Sequence, residues 1–276
     1  MPELPEVETI VRDLDVLLKG RCVEWVRVRL NKIVKTGPRR LARLLKGARV
    51  LGARRRGKFI ILEFDDERYL VIHLKMTGQF LWQENSREYP KHVHVIIGFE
   101  NEGELLYRDM RQFGYFLGLS SGEYLSWQME QPLGPDPLEI DAQEFARLLE
   151  KRRGRIKPLL LNQLFISGLG NIYTDESLFS AGIHPLTQAE NVSRESALRL
   201  HREIVRILKK AIKLKGSTIV NYRGVGGEVG RFQKRHQVYH QQGKPCPICS
   251  NEIKRIVVGG RGTYFCPHCQ QLQPIK

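Results

Sequence analysis

Two groups of residues, at opposite ends of a 276-residue chain, have types and spacings suited to chemistry. Near the C-terminus, Cys246 and Cys249 stand in C-P-I-C and Cys266 and Cys269 in C-P-H-C, with sixteen residues between the pairs. Each C-x-x-C closes a tight turn that presents two thiolates, and four thiolates satisfy tetrahedral zinc, leaving no open position for a substrate water. One structural Zn2+ is therefore expected. Two disulfides or an iron centre would use the same four residues. His268, inside the second pair, is not needed as a ligand. Cys22 stands alone before an apolar alternation and reads as a small buried hydrophobe.

The other end opens Met-Pro-Glu-Leu-Pro-Glu-Val-Glu. Removal of the initiator methionine would leave Pro2 with a secondary α-amine. An α-amino group titrates at about 8, against about 10.4 for a lysine, so a useful neutral fraction exists near pH 7. Such an amine can attack an aldehyde-like carbon. Its adduct with a sugar C1′ has no second N–H hydrogen to lose and must be a cationic iminium, which acidifies the C2′ hydrogen and permits elimination of a phosphate. Glu3 and Glu6 are close enough in sequence to exchange protons or orient the amine. Taken alone, the same acids would offset a helix dipole and the proline would be an ordinary helix-start residue.

The elements that must position these residues fall into three stretches. Val7, Ile10, Val11, Leu14, Leu17 and Leu18 recur at helical spacing over residues 6–18, with Gly20 as a stop. Short β-rich runs follow at 26–30, 59–64, 69–74, 93–99 and 104–107, a pattern that predicts a β-sandwich. Three prolines and a glycine in residues 131–138 mark a connection. Beyond it, Asp141 and Glu144 read as a capping box before a helix with Phe145, Leu148 and Leu149 on one face. Two helical segments, 158–165 and 172–181, are joined through Ser-Gly-Leu-Gly-Asn with Asn171 as N-cap. Such a turn could bring backbone N–H groups to a phosphate, although most helix pairs with glycine turns only pack. A long helix is expected over 193–214, burying Leu200, Ile204, Ile207, Leu208, Ala211 and Ile212, with a basic opposite face that reads as solvated. The fold class is α+β: an N-terminal β-sandwich with flanking helices over 1–130, a linker at 131–139, a helical domain over 140–238, and a C-terminal β-hairpin zinc finger over 239–276.

Lys and Arg total 45 against 30 Asp and Glu, a formal charge of +15 that favours a polyanionic partner, since neutralised phosphates release condensed counterions. No apolar run approaches the roughly 18 residues of a membrane span, and the N-terminus lacks a basic-then-apolar leader, so no membrane partner and a cytoplasmic location are expected.

Along essentially its whole length the chain resembles the formamidopyrimidine-DNA glycosylases. The resemblance rests on Pro2-Glu3-Leu4-Pro5-Glu6-Val7-Glu8, Arg56-Gly57-Lys58-Phe59, His73-Leu74-Lys75-Met76-Thr77-Gly78 and Lys91-His92-Val93-His94. It continues through Asp109-Met110-Arg111-Gln112-Phe113-Gly114, Leu133-Gly134-Pro135-Asp136-Pro137-Leu138, Gly168-Leu169-Gly170-Asn171-Ile172-Tyr173 and Gly260-Arg261-Gly262-Thr263.

This resemblance implies a bifunctional enzyme of base excision repair, monomeric and associated with the bacterial nucleoid. It would excise oxidised purines such as 8-oxoguanine and formamidopyrimidines from double-stranded DNA, lying in a cleft between domains, and cut the strand by β,δ-elimination. By carry-over, Pro2 is the Schiff-base nucleophile, Glu3 the acid/base on the sugar, Glu6 their support, Lys58 an aid to β-elimination, and Arg261 linked to δ-elimination and phosphate contact. Met76, Arg111 and Phe113 match the residues that fill the space left by an extruded base. His92, Lys157 and Asn171 match contacts to the DNA backbone, and Arg152 stands where the family often has lysine. Val220 replaces a commonly basic residue, which bears on base preference, in front of a Gly-rich segment, 221–230, that matches the loop closing over the flipped base. His240 stands where glycine is usual, a local turn variation. Two other readings use the same features. Endonuclease VIII-like enzymes for oxidised pyrimidines open on Pro-Glu-Gly-Pro, against which Leu4 counts, and a non-catalytic zinc protein binding nucleic acid would leave the opening peptide and Lys58 without purpose.

Overall fold

The computed structural model describes residues 1–84, 88–100, 103–219 and 222–272. The apolar stripe of the first residues forms helix α1, Leu4–Leu18, in which Val7, Ile10, Val11, Leu14 and Leu18 are all buried. Pro5 sits in the first turn, where a missing N–H costs nothing, and Gly20 at φ +83 ends the helix. Two antiparallel sheets follow, one ordered β1-β6-β7-β5 and the other β2-β3-β4-β8, and the helix packs on β2 and β3 of the second. Their strands are β1 (Val23–Val28), β2 (Val50–Arg56), β3 (Phe59–Phe64), β4 (Arg68–His73), β5 (Gly78–Glu84), β6 (Val93–Phe99), β7 (Gly103–Asp109) and β8 (Tyr115–Ser120). The inner faces and α1 share one core, which includes Leu14, Ile60, Leu62, Ile72, Phe80, Val95, Tyr107 and Phe116. Helices α2 (Pro38–Leu45) and α3 (Ser121–Glu130) flank the sandwich. The expected β-sandwich is present.

The second unit carries four α-helices among its described residues: α4 (Ala142–Glu150), α5 (Ile156–Leu161), α6 (Asn171–Ser180) and α7 (Arg194–Lys213). Helix α7 packs on α4 and α6, and α5 packs on α6. The Asp141 carboxylate caps α4 by accepting from Glu144 N at 2.8 Å. Helix α7 buries Leu200, Ile204, Ile207, Leu208 and Ala211, while Ile212 is half-buried. The chain ends in hairpin β9 (Lys254–Val258) and β10 (Arg261–Phe265), whose two-residue turn is Gly259-Gly260. Both glycines have positive φ, 56° and 73°, as a turn matched to the strand twist requires.

The compact units are Met1–Pro132 with Leu214–Arg231, and Leu133–Lys213 with Phe232–Lys276. The first boundary, at 132/133, lies inside the linker expected over 131–139, whereas the domain expected over 140–238 gives up residues 214–231 to the first unit. Residues 214–231 return to the first unit because Tyr222 and Val225 are buried in its core. The finger packs with the helices, where Phe179 and Val238 join Cys246, Ile253 and Cys266 in one apolar cluster. Asn171 is the first residue of α6, and Gly170, with extended backbone, is its N-cap. The helical segment expected at 158–165 begins at Ile156 and ends at Leu161.

Candidate functional site

In the first unit the N-terminus is held by side chains that also cap α1. Glu3 and Glu6 form a reciprocal capping box, in which Glu6 Oε2 accepts from Glu3 N at 2.8 Å. Glu6 Oε1 accepts from Ser217 N at 2.7 Å, so this carboxylate, 1% exposed, joins the start of the chain to the returning segment 214–231. Gly216 is needed there, since its φ is +76 and a Cβ would lie 2.7 Å from Glu6 Oε1. Pro2 is buried, and Met1 ahead of it is exposed.

Lys58 lies in the turn between β2 and β3, following Gly57 at φ +58, and is buried. An ion pair between Glu8 and Arg55 at 2.9 Å ties α1 to the strand that leads into this turn. Across β3, Phe59 pairs with His73. Burial, reinforced by the charges of Lys75 and Lys58, holds the His73 imidazole down at about 3. His73 Nδ1 accepts from Lys75 N at 2.9 Å, as a neutral ring can.

Met76, His92, Arg111 and Phe113 lie in the connections at the ends of β5, β6, β7 and β8, and all four are exposed. Arg111 lies over the Phe113 ring at 4.8 Å. Beneath them is Asp109, which is 0% exposed. It accepts from Thr77 Oγ1, from Arg111 N at 3.2 Å, from Gly114 N at 2.9 Å and from Tyr107 OH at 3.3 Å. One carboxylate thus joins the loop carrying Met76 to the loop carrying Arg111 and Phe113. Gly114 allows the approach, because a Cβ there would lie 1.7 Å from Tyr107 OH. Asp109 was visible in the sequence as part of a motif, yet nothing in its local pattern assigned it this task.

The second unit gathers another set on the hairpin. Lys157, matched by resemblance to a DNA-backbone contact, is 0% exposed, and its ammonium donates to Asp175 Oδ1 at 2.7 Å, Thr263 Oγ1 at 2.8 Å and Gly262 O at 3.2 Å. A buried cation needs such partners, and here they hold the strand that begins at Arg261. Asp175 Oδ2 also accepts from Tyr264 N at 3.0 Å, while burial pushes its carboxyl up to about 7 against the pull of Lys157. Asn171 Nδ2 donates to Gly262 O at 2.8 Å. Lys157, Asn171 and the residue after Arg261 therefore converge, with Arg261 itself exposed at the hairpin tip. Gln163 shapes the glycine turn before α6 by accepting from Gly168 N and donating to Leu169 O, each at 2.9 Å. Arg152 is exposed beside this group, its guanidinium over the Phe165 ring at 5.7 Å.

The four cysteine sulfurs lie within 4.8 Å of one another. Cys246 and Cys269 are 3.8 Å apart and Cys249 and Cys266 3.4 Å, close to the roughly 3.8 Å edge of a tetrahedron with zinc–sulfur bonds of about 2.3 Å. Ile248 N and Cys269 N each approach a cysteine sulfur at 3.4 Å, as donors to a thiolate would. The donor set fits one structural zinc ion. His240, at φ +58 in the left-handed region, shows why glycine suits its position; its ring stacks on Tyr239 at 4.5 Å.

Three family models match the chain: the formamidopyrimidine-DNA glycosylase N-terminal domain over 1–116, the H2TH domain of the same enzymes over 133–222, and the zinc finger found in FPG and IleRS over 243–272. A formamidopyrimidine-DNA glycosylase of Bacillus licheniformis is 42% identical over 275 residues, covering 98% of this chain and 100% of its own. The chain belongs to the formamidopyrimidine-DNA glycosylase family.

Solved structures of family members agree. A Lactococcus lactis FPG variant in complex with Fapy-dG-containing DNA superposes with a TM-score of 0.92 at 39% identity, over 98% of this chain and 100% of that one. A MutM complex with DNA containing carbocyclic 8-oxo-G gives 0.91 at 39% identity, with the same coverage of both chains. Among the described residues no helix is long and apolar enough to cross a membrane. Val220 and Asn221 lie outside the described residues; the remainder of the Gly-rich segment includes Gly227 at φ +85 and an ion pair between Lys215 and Glu228 at 3.1 Å.

Proposed function

We propose that the protein excises oxidised purines, 8-oxoguanine and formamidopyrimidines, from duplex DNA and cleaves the strand at the resulting site, acting in the cytoplasm at the nucleoid. The observation that carries this reading is the held N-terminus: Pro2 precedes a helix whose two capping carboxylates, Glu3 and Glu6, are both buried and ordered by backbone N–H groups. A nucleophile and its acid/base partner are thereby set in one geometry before substrate arrives.

Once Met1 is removed, the Pro2 nitrogen forms a bond to C1′ as the bond from C1′ to the base breaks, its electron pair leaving with the base, which takes up a proton. Pro2 loses its proton, the C1′–O4′ bond then opens, and Glu3 supplies the proton that O4′ needs, leaving a cationic iminium. Loss of a C2′ proton expels the 3′-phosphate, and loss of the C4′ proton then expels the 5′-phosphate. Lys58, buried in the β2–β3 turn, assists the first elimination, and Arg261 on the hairpin contacts phosphate and assists the second. Met76, Arg111 and Phe113, exposed on loops joined by Asp109, fill the stack vacated by the extruded nucleotide. His92, Asn171 and Arg152 contact the backbone. Lys157 acts from beneath Arg261, as a positioning residue for the hairpin. Zinc supplies no reaction step; held by Cys246, Cys249, Cys266 and Cys269, it fixes the fold that presents Arg261.

The test is a panel of duplexes carrying 8-oxoguanine opposite cytosine, a formamidopyrimidine, an oxidised pyrimidine, or no damage. Excision and strand cleavage of the first two at least about tenfold faster than of the third are expected. Preference for the oxidised pyrimidine would move the protein to the endonuclease VIII reading, and binding without cleavage of any duplex would leave the non-catalytic one.

A further inference from the structure

The basic face of α7, which reads from sequence as merely solvated, forms one wall of a cavity of about 520 Å³ within the second unit. The opposite walls are the 3-10 turn Phe232–Arg235 and the loop that leads into the first cysteine pair. Five cations from these three segments line it: Arg206, Lys210, Lys234, Arg235 and Lys244. Arg206 is bridged to Glu203, whereas the other four make no ion pair among the described residues.

The single carboxylate in the wall cannot serve them. Glu176 is 1% exposed and is committed to backbone donors, Gln237 N at 2.9 Å, Val238 N at 3.0 Å and Tyr239 N at 2.9 Å. Four like charges facing one concavity without a counter-charge repel, and an anion entering it relieves that repulsion at several contacts at once. The remaining lining adds a different chemistry. Ile207, Phe232, Pro245 and Pro247 give apolar and flat faces, and Gln241 a terminal amide. Cations for phosphate, flat apolar faces for a ring and an amide for ring edges together match a nucleotide, and the volume lies within the range of about 300–1,000 Å³ common for small-molecule sites. Pro2, Lys58, Asn171 and Arg261 are all absent from the lining.

We propose that this cavity is a second anion site, which takes a nucleotide through its phosphate and its base. The ligand chemistry has two sources, a free nucleotide or the 5′-phosphorylated end of a DNA strand.

Both are tested on the full-length zinc-loaded protein by titration calorimetry, with ADP in one arm and a 5′-phosphorylated single-stranded pentamer in the other. Saturable binding is expected in at least one arm, and the arm that binds identifies the source. The double variant Lys210→Ala/Lys234→Ala, altered at sites without ion-pair partners, should weaken that binding by about tenfold or more, make its salt dependence shallower, not lower the melting temperature, and leave cleavage of an 8-oxoguanine duplex unchanged. Absence of binding in both arms overturns the proposal. So does equal binding by the double variant, and so does displacement of the bound nucleotide by an uncut lesion duplex through a surface that the variant leaves intact.

Discussion

Asp109 shows how much of the site depends on one buried side chain. It accepts hydrogen bonds from Thr77, Tyr107, Arg111 and Gly114, and these reach the two loops that carry Met76, Arg111 and Phe113. Asp109→Asn keeps the shape but turns an amide N–H2 toward donors that need an acceptor, leaving buried groups unsatisfied at a cost of about 2 kcal/mol or more. The variant should melt about 5 °C lower. Its loops would also lose their setting, and a misplacement of about 1 Å can cost roughly 100-fold in rate. Base excision from an 8-oxoguanine duplex should therefore fall by about 10–100-fold at a temperature where the variant is still folded, as judged by circular dichroism. Unchanged excision in a folded variant would show that Asp109 does not set these loops. Residue type and spacing announced the four cysteines, because two C-x-x-C pairs are a ligand set in any context, whereas the opening peptide took on a chemical role only through the family resemblance. The burial of Lys157, which the resemblance matched to a DNA-backbone contact, was not legible in the sequence: its partners Asp175, Gly262 and Thr263 lie 18, 105 and 106 positions away, and a lysine gives no local sign of being buried.

At the scale of elements, periodicity was readable where one face is buried and unreadable where it is not. Strand β6, expected over 93–99, is found there because all seven of its residues are buried and apolar character runs through it. Strand β2 was missed because only Val50 is buried while Arg54, Arg55 and Arg56 are held by partners at its margin. Strands β5 and β8 and helix α2 were likewise absent from the sequence reading, being mixed in polar and apolar character. The hairpin β9–β10 illustrates an element whose stability comes from a group outside the backbone. Its apolar support is a small cluster around Phe179, Val238 and Ile253 together with the buried Val258 and Phe265, and a metal held by the four thiolates would add to that order. Elemental analysis should find one zinc per chain. Chelation should lower affinity for duplex DNA by about tenfold or more, with recovery on adding zinc back, while Cys246→Ser should neither hold the ion nor recover. Full DNA affinity in the metal-free protein would contradict the role given to the hairpin.

For the whole molecule, the least legible feature was the path of the chain. Residues 214–231 follow α7 in sequence yet belong to the first unit, where Tyr222 and Val225 are buried and Ser217 binds Glu6. No local pattern encodes such a return, since it depends on surfaces some two hundred positions earlier. Global stability also carries a signature of burial. His73 is held at about 3, by burial and then by Lys75 and Lys58, and His236 at about 4, by burial and then by the charge of His240. Both lie below the ordinary imidazole value of about 6.5, so the unfolded chain binds protons that the folded one excludes. The stability these rings contribute is present above pH 6.5 and is lost as the pH falls toward 4 and 3. Each should remove about 1 kcal/mol between pH 6 and pH 5. Urea denaturation should show a His73→Gln variant losing about 1 kcal/mol less than the parent over that interval; an identical pH dependence would mean that the ring is protonated in the folded protein.

The central claim is that chemistry begins on the nitrogen of Pro2, and covalent trapping tests it most directly. The purified protein is incubated with a duplex carrying 8-oxoguanine opposite cytosine, borohydride is added, and the adduct is digested and mapped by mass spectrometry. The expected result is one DNA-linked peptide beginning at Pro2 with Met1 removed, and no adduct when extra residues are fused ahead of Met1 so that the amine cannot be released. An adduct mapped to Lys58 or any other residue, or an undiminished yield from the extended chain, would contradict it.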